Sequence, residues 1–205
     1  MEQRTDEWFA ARCGRVTASR VADATARTKT GWGASRANYM AELICERLTG
    51  QPTQGFTNAA MQWGTDTEPR AVETYAFERA ATVQPAAFVP HPEIADSGAS
   101  PDGLIGDDGL IEVKCPNTAT HLDYLLTQTI PAKYITQMQW QMACTGRRWC
   151  DFVSYDPRLP DHLAMWVKRV PRDDAMIADL ETSVREFLAE MTEKVARLEA
   201  MSEAA

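Results

Sequence analysis

Three ionisable residues lie at a spacing that suits metal-dependent cleavage of a phosphodiester bond. Asp102 follows a Ser-Pro pair, and Glu112 and Lys114 stand in an apolar run ten and twelve residues later. Alternate side chains of a β-strand point to opposite faces, so Glu112 and Lys114 are expected to share one face. Ile111 and Val113 then point into the core. The pattern predicts a carboxylate beside an ammonium group on one strand.

A turn upstream of this strand is expected to bring the second carboxylate to it. Residues 106–109 read Gly-Asp-Asp-Gly and separate the short apolar runs 104–105 and 110–113. Such a turn signal between two apolar runs predicts a β-hairpin. The hairpin returns Glu112 beside Asp102.

Two converging carboxylates and a backbone carbonyl at Val113 form an oxygen-rich site of the kind that Mg²⁺ prefers. A cation there polarises the scissile phosphate and activates a water molecule. Lys114 then orients or deprotonates that water, or offsets charge that develops on the phosphorus centre. A lone Glu-x-Lys on a strand is commonly a solvated ion pair, so the prediction depends on Asp102 and on the rest of the chain.

Six blocks along the chain occur in the order found in one nuclease family. They are residues 6–19, 63–69, 99–104, 111–116, 134–140 and 155–158. Together they resemble the phage lambda-type exonucleases, the YqaJ-like viral recombinase family of the PD-(D/E)XK nuclease superfamily. The resemblance spans roughly residues 6–170, and the set of six is specific although each block alone is weak.

The resemblance implies an α/β fold with a restriction-endonuclease-like core, in which a central mixed sheet is flanked by helices. It also implies Mg²⁺-dependent 5′-to-3′ degradation of one strand of linear double-stranded DNA, with Mn²⁺ able to substitute. Release of 5′-mononucleotides leaves 3′ single-stranded overhangs for phage-type homologous recombination. The implied partners are DNA ends, two further copies in a ring-shaped homotrimer, and a single-strand annealing protein.

The family pattern assigns roles around the metal. Asp102 and Glu112 match the metal ligands, and Lys114 matches the catalytic lysine. Glu68 matches a helix acid that reaches the metal site through water, and Gln137 matches a glutamine that helps to order the site. Many superfamily members carry Gln-x-x-x-Tyr on this helix, whereas residues 137–141 read Gln-Met-Gln-Trp-Gln, which makes Gln139 and Gln141 further candidates.

A second group of residues matches the contacts to the DNA end. Arg12, Thr17 and Ser19 match the pocket for the 5′-phosphate, where a helix start and a guanidinium suit an anion. Met61 matches an apolar wedge that splits the terminal base pairs, although a methionine on a helix is ordinarily core filler. Lys29 lies in a basic loop that resembles a DNA-contacting loop, with an exposed loop of solvated charges as the alternative.

Composition argues against several other classes of protein, among them membrane proteins and proteins held together by disulfides or cysteine-bound metals. The chain has 205 residues, 44% of them hydrophobic, which predicts one domain over residues 1–205. No apolar run is long enough to span a bilayer and no signal-peptide profile occurs, which predicts a cytoplasmic protein without a membrane partner. Five cysteines without a C-x-x-C pair argue against a disulfide framework, a zinc site and an iron–sulfur centre. The three widely spaced histidines predict structural or surface roles.

The net charge of −8 is unevenly distributed. Residues 1–60 carry eight Lys/Arg against six Asp/Glu, residues 61–172 ten against fourteen, and residues 173–205 three against nine. The acidic excess therefore lies in the tail and around the predicted metal site. This balance permits DNA binding without favouring it.

Periodicity and turn signals predict alternating helices and strands. Helices are expected over residues 6–12, 35–48, 58–79, 118–127 and 131–145, and strands over 150–155 and 163–170. Thr17 is expected to begin a further helix, and Pro69 to kink or restart the 58–79 helix after Glu68. An apolar stripe predicts an amphipathic helix over about residues 173–200, packed on its own core, on a neighbouring subunit or on a partner protein.

Two other functions remain open at this stage. The first is a structure-selective or site-specific endonuclease on the same core, which would accumulate nicked circles. The second is a non-catalytic module that binds DNA ends, against which the complete set of Asp102, Glu112 and Lys114 argues.

Overall fold

The computed structural model describes residues 2–29, 31–53 and 58–203. The helices are α1 (Asp6–Arg12), α2 (Val21–Ala24), α3 (Ala34–Thr49), α4 (Ala59–Arg79), α5 (Thr118–Thr127), α6 (Ala132–Thr145), α7 (Asp161–Ala164) and α8 (Asp174–Glu203). The strands are β1 (Val16–Thr17), β2 (Arg27–Thr28), β3 (Gly31–Trp32), β4 (Val83–Gln84), β5 (Val89–Pro90), β6 (Ser97–Ala99), β7 (Gly103–Ile105), β8 (Gly109–Lys114), β9 (Trp149–Tyr155) and β10 (Met165–Pro171). A short 3-10 helix, Ala18–Arg20, follows β1.

A five-stranded mixed sheet forms the centre, with strand order β10-β9-β8-β7-β4. Strands β8 and β9 run parallel, and the other neighbours are antiparallel. The predicted hairpin is confirmed, because β7 and β8 pair antiparallel with Gly103 opposite Ile111. A smaller sheet has the order β1-β6-β5, and β2 pairs with β3. The mixed α/β architecture with flanking helices is as predicted.

Helices cover both faces of β8, which contradicts the alternative of a solvated ion pair on an exposed face. Ile111 and Val113 pack with α4 residues such as Tyr75, as the alternation of strand side chains requires. Leu110 packs on the opposite face with α6 residues such as Met138. Glu112 shares this second face and is only 1% exposed. The Glu-x-Lys pair therefore does not lie on a solvated surface, because α6 covers the face that carries it.

Helix α8 begins and ends close to the predicted bounds of 173–200. Its apolar stripe packs within the same chain against α2, α3 and α6, so the first of the three alternatives is the observed one. The residues of α8 buried in this cluster include Leu180, Val184, Phe187 and Met191.

Most predicted helix bounds are confirmed within one or two residues, and three local predictions are corrected. Thr17 precedes the three-residue 3-10 helix and makes no side-chain cap hydrogen bond, so no full α-helix starts there. Of the two outcomes predicted at Pro69, the restart is wrong, because helix α4 runs through Pro69 from Ala59 to Arg79. A proline removes one backbone donor, and packing of α4 on the sheet through Ala71 and Tyr75 holds the remaining turns. Strand β10 begins at Met165, because α7 takes up the preceding residues.

Within the described residues, no helix has both the length and the apolar character to cross a membrane. All five cysteines are free thiols. Two histidines are buried and hydrogen-bonded, His91 to backbone N–H groups of residues 93 and 94 and His121 to Ser154 and the Leu163 carbonyl. His162 is exposed.

Asp156 ties the end of β9 to the start of α5, the helix that follows the Glu-x-Lys strand. Its fully buried carboxylate accepts hydrogen bonds from Thr118 Oγ1 at 2.7 Å and from Arg158 Nε at 2.7 Å. Burial alone raises the pKa of Asp156, but the bonds from Arg158 and Thr118 outweigh it and lower the pKa to about 2. The carboxylate thus stabilises the fold as long as it is ionised.

We expect Asp156→Asn to lower the free energy of unfolding by about 2 kcal/mol at pH 7. The pKa of the folded state lies below the ordinary value of 3.8, so this contribution is present above that pH and is lost as the pH falls towards 2. Urea denaturation of both proteins from pH 7 to pH 2 measures the difference. Exposed Asp179 supplies the control Asp179→Asn, which should stay near wild type throughout. A pH-independent difference for Asp156→Asn contradicts the assignment.

Candidate active site

The three ionisable residues of the predicted centre meet at the end of β8. Asp102 lies between β6 and β7, and its Oδ2 accepts a hydrogen bond from the backbone N–H of Val113 at 2.6 Å. This bond holds Asp102 against β8 between Glu112 and Lys114. Lys114 Nζ donates a hydrogen bond to Glu112 Oε1. The hairpin therefore produces the convergence that its turn sequence predicts.

Helix α6 supplies two amides that hold the Glu112 carboxylate. Gln137 Nε2 donates to Oε1 at 2.7 Å, and Gln141 Nε2 donates to Oε2 at 2.6 Å. The two glutamines are four residues apart and so lie on one face of the helix. Gln139 turns away and bonds the Pro171 carbonyl at 2.8 Å. Of the two further candidates, Gln141 lies in the site and Gln139 does not.

The carboxylates hold more negative charge than the nearby cation neutralises. Burial raises the pKa of Asp102 well above its ordinary value, and the charges of Glu112 and then Glu68 add to that rise. Burial by itself lowers the pKa of Lys114, yet the Glu112 and Asp102 carboxylates raise it above its ordinary range. Lys114 is therefore an ammonium ion at neutral pH. A further cation would relieve the repulsion that Asp102 experiences.

The donor set fits a hard divalent cation that keeps several waters. Across the part of the chain that the structure describes, no three His, Cys, Asp or Glu side chains form a ready-made metal cage. Two carboxylates, Asp102 and Glu112, with a backbone oxygen of Val113, are nevertheless the type of partial shell that suits Mg²⁺. Val113 and Lys114 both line a cleft of about 570 Å³.

Glu68 faces the same cleft from α4, and an arginine that the sequence analysis did not single out holds it. Arg4 Nη2 lies 2.7 Å from Glu68 Oε2. The negative charge of Glu68 contributes to the raised pKa of Asp102, so the two carboxylates repel each other. No periodicity or motif marks Arg4, which precedes the cap of α1.

A second cleft, of about 350 Å³, contains Arg12, Thr17 and Ser19 together. The Arg12 guanidinium lies 4.0 Å from the centre of the Trp8 ring and donates to Ser100 Oγ at 3.3 Å. Burial lowers the pKa of Arg12 to about 10, so it remains charged at neutral pH. Among the residues described, no carboxylate forms an ion pair with it. A partly buried guanidinium without a carboxylate ion pair is suited to an anionic ligand.

Trp8, which lines this cleft, and Ser100, which accepts a hydrogen bond from Arg12, were not among the predicted site residues. Trp8 Nε1 donates to Ser100 Oγ at 2.9 Å, so the serine hydroxyl is held by the indole and by Arg12. Ser100 belongs to the Ser-Pro-Asp-Gly motif that includes Asp102. Its position two residues before a predicted metal ligand could have indicated that it lies near the site.

The cleft of about 350 Å³ around Arg12 is called the anion cleft below, and the cleft of about 570 Å³ lined by Glu68 and Lys114 is called the carboxylate cleft. Ser19 and Met61 line both clefts and therefore mark their junction. Met61 is 54% exposed, so it is not core filler. Lys29 lies at the exposed turn between β2 and β3 and lines neither cleft. The next residue in the sequence, Thr30, lies outside the described residues.

Residues 7–148 match the YqaJ-like viral recombinase domain. The chain belongs to this family. Its fold superposes with a TM-score of 0.91 on the crystal structure of an alkaline exonuclease, LHK-Exo, from Laribacter hongkongensis, at 55% identity over 98% of this chain and 99% of that one. A crystal structure of LHK-Exo in complex with dAMP gives the same TM-score at 56% identity and the same coverage.

A phage-related exonuclease from Haemophilus somnus 129PT shares the fold of this YqaJ-like chain. The TM-score is 0.74 over 90% of this chain and 96% of that one, at 15% identity. No protein of curated function matches the sequence.

We expect Gln141→Leu and Glu112→Leu to show an energetic coupling of at least about 1 kcal/mol in a double-mutant cycle. Gln141→Leu alone leaves one oxygen of the buried Glu112 carboxylate without its hydrogen-bond donor, which is destabilising. Replacing both residues by leucine removes that unsatisfied acceptor. Urea denaturation in EDTA measures the four proteins.

Gln139→Leu is the matched control, because Gln139 is a buried glutamine of the same helix that bonds elsewhere. Its effect should add to that of Glu112→Leu within about 0.5 kcal/mol. Equal coupling for both glutamines would contradict the amide pair described here.

Proposed function

We propose that this protein is a Mg²⁺-dependent 5′-to-3′ exonuclease on linear double-stranded DNA. It releases 5′-mononucleotides and leaves 3′ single-stranded overhangs. The observation that carries the proposal is the meeting of Asp102, Glu112 and Lys114 beside an open cleft, in a chain of this family. The 55% identity to an alkaline exonuclease over nearly the whole chain supports nuclease activity.

Asp102 and Glu112, with the Val113 carbonyl, are the residues that would hold Mg²⁺ or Mn²⁺. When bound, such an ion polarises the scissile phosphate and activates water. Gln137 and Gln141 keep the Glu112 carboxylate in one orientation through bonds to both oxygens. The ligand is therefore held in place before the cation arrives, which limits the reorganisation that binding requires.

Lys114 acts as a fixed positive charge in this proposal. Its raised pKa favours the ammonium form, which suits offsetting of negative charge on the phosphorus centre better than removal of a proton. Glu68 is not one of the proposed metal ligands. It acts on the metal site through water and through its charge, which raises the pKa of Asp102.

Direction of digestion follows from the anion cleft. A 5′-phosphate held by Arg12, Thr17 and Ser19 places the terminal nucleotide on the path that leads past Ser19 and Met61 to Lys114. Exposed Met61 stands at that junction, where an apolar side chain can separate the last base pairs. Lys29 is proposed as a contact to duplex DNA outside the two clefts.

The proposal includes a biological setting. Overhangs of this polarity serve homologous recombination by strand annealing, with a single-strand annealing protein as partner and the cytoplasm as the place of action. Residues 1–205 act as one nuclease domain, and three copies form a ring around the duplex. The family membership of residues 7–148 supports this setting.

We expect Asp102→Ala, Glu112→Ala and Lys114→Ala each to lower turnover by at least ~100-fold while DNA binding in Ca²⁺ persists. Mg²⁺ and Mn²⁺ should support activity, whereas Ca²⁺ should not, because its longer bonds misplace the reacting groups. Release of nucleotides from linear duplex labelled at one 5′ or one 3′ end measures both effects. Exposed Asp107 gives the control Asp107→Ala, which should retain wild-type turnover.

Three outcomes decide against this assignment. Full activity in EDTA refutes a metal-dependent reaction. Nicked circles among the products of a circular substrate indicate an endonuclease on the same core. Binding of DNA ends without any metal-dependent release indicates a non-catalytic module.

We also expect faster initial digestion of 5′-phosphorylated duplex than of 5′-hydroxyl duplex, because the guanidinium of Arg12 can bind a terminal phosphate bidentately. Arg12→Ala should remove most of that preference and leave the carboxylate centre intact. Arg79→Ala, at the exposed end of α4, should keep it. If wild type shows no preference, or if Arg12→Ala retains it, the turn around Lys29 becomes the next candidate.

A further inference from the structure

Residues 2–5 lie across the edge of the carboxylate site and are held on both sides of Arg4. Gln3 Nε2 donates to the Pro101 carbonyl at 2.8 Å and to the Ala86 carbonyl at 3.0 Å. Thr5 caps α1 by accepting from a backbone N–H of its first turn. Pro101 directly precedes Asp102, so this segment is fastened to the connection that positions a predicted metal ligand.

Arg4 adopts a backbone conformation that is uncommon for a residue with a side chain, and unlike Ala80 and Gln128, which share it, Arg4 does not end a helix. Its φ is 68°, in the left-handed region, where a side chain with a Cβ is strained. An exposed ion pair contributes less to stability than this conformation costs, so the bond to Glu68 does not by itself account for it. Strain of this kind is concentrated at functional sites.

The Arg4 side chain lies where DNA must pass if the proposed function is correct. It lines the cleft that also contains Ser19 and Lys114, and it lines the adjacent cleft that contains Asp102. Glu68 accepts from one terminal nitrogen, Nη2, and the side chain remains 45% exposed. A guanidinium carries five N–H donors in a planar fork, so one face of the group can bond Glu68 while another bonds a phosphate.

Charge also favours a phosphate at this position. Asp102, Glu112 and Glu68 repel the DNA backbone, and Lys114 is already bonded to Glu112. Of the residues that the structure describes, Arg4 is the other cation that lines the same cleft. We propose that Arg4 binds a phosphodiester of the DNA strand that enters the nuclease centre, and that Glu68 orients its guanidinium. This assignment rests on the proposed function and adds a DNA contact to it.

Salt dependence of DNA binding tests the proposal, because each phosphate contact to duplex DNA adds about 0.9 to the slope of log affinity against log salt. Fluorescence anisotropy with a 5′-phosphorylated linear duplex in Ca²⁺ measures that slope over a KCl series. Arg4→Gly removes the guanidinium and accepts the left-handed backbone, and Arg4→Asn does so with a side chain that tolerates it.

Both variants should bind about 10-fold more weakly at 0.1 M salt, with a slope reduced by about 0.9. Arg4→Lys should keep the slope, because an ammonium also releases counterions. Arg197→Ala removes one exposed cation from α8 and should match wild type. Melting temperatures of both Arg4 variants at or above that of wild type would show that the fold is retained.

A double-mutant cycle with Glu68→Gln separates phosphate binding from simple neutralisation of Glu68. A direct phosphate contact predicts that Arg4→Gly still reduces the slope when residue 68 is uncharged. If Arg4→Gly has no effect in that background, or leaves the slope unchanged in wild type, the Arg4 assignment is overturned. If wild type neither binds nor digests linear duplex, the proposed function itself fails.

Discussion

The buried carboxylate of Glu112 is the constraint on which the arrangement of this protein depends. A charged group that is 1% exposed is strongly destabilising unless hydrogen bonds and an opposite charge compensate for the lost water. Here Lys114 comes from the same strand, and Gln137 and Gln141 come from α6. The helix must therefore cross β8 at this depth and in this rotation. The hydrogen bonds that compensate for burial also fix the orientation of the Glu112 carboxylate, a group suited to binding a hard cation.

Opposite faces of β8 perform different tasks. Ile111 and Val113 anchor the strand to α4, and α4 in turn presents Glu68 and Met61 to the clefts. The face that carries Glu112 belongs to α6. The six-residue strand β8 thus positions both α4 and α6 relative to the same site. An error in its register would move every one of these side chains to the wrong face.

Two electrostatic environments lie next to each other in the proposed exonuclease. Arg12 is a partly buried cation without a carboxylate ion pair among the residues described, whereas Asp102, Glu112 and Glu68 outnumber the two cations bonded to them, Lys114 and Arg4. An anion suits the first environment and a cation suits the second. Ser19 and Met61 lie between them. This order along the surface is what an enzyme needs to bind a strand end and cut next to it, despite a net charge of −8.

The sequence by itself determined the local features whose causes lie within a few residues: the β7–β8 hairpin with its Glu-x-Lys strand, the bounds of most helices, and the apolar stripe of α8. Only the tertiary structure decided which of Gln137, Gln139 and Gln141 reach Glu112, that α4 continues through Pro69, that a 3-10 helix follows Thr17, and that Arg4 pairs with Glu68. Those outcomes depend on contacts between segments far apart in the chain. Turn chemistry and periodicity are local, whereas the demand of a buried charge is met by whichever side chain the packed fold brings to it.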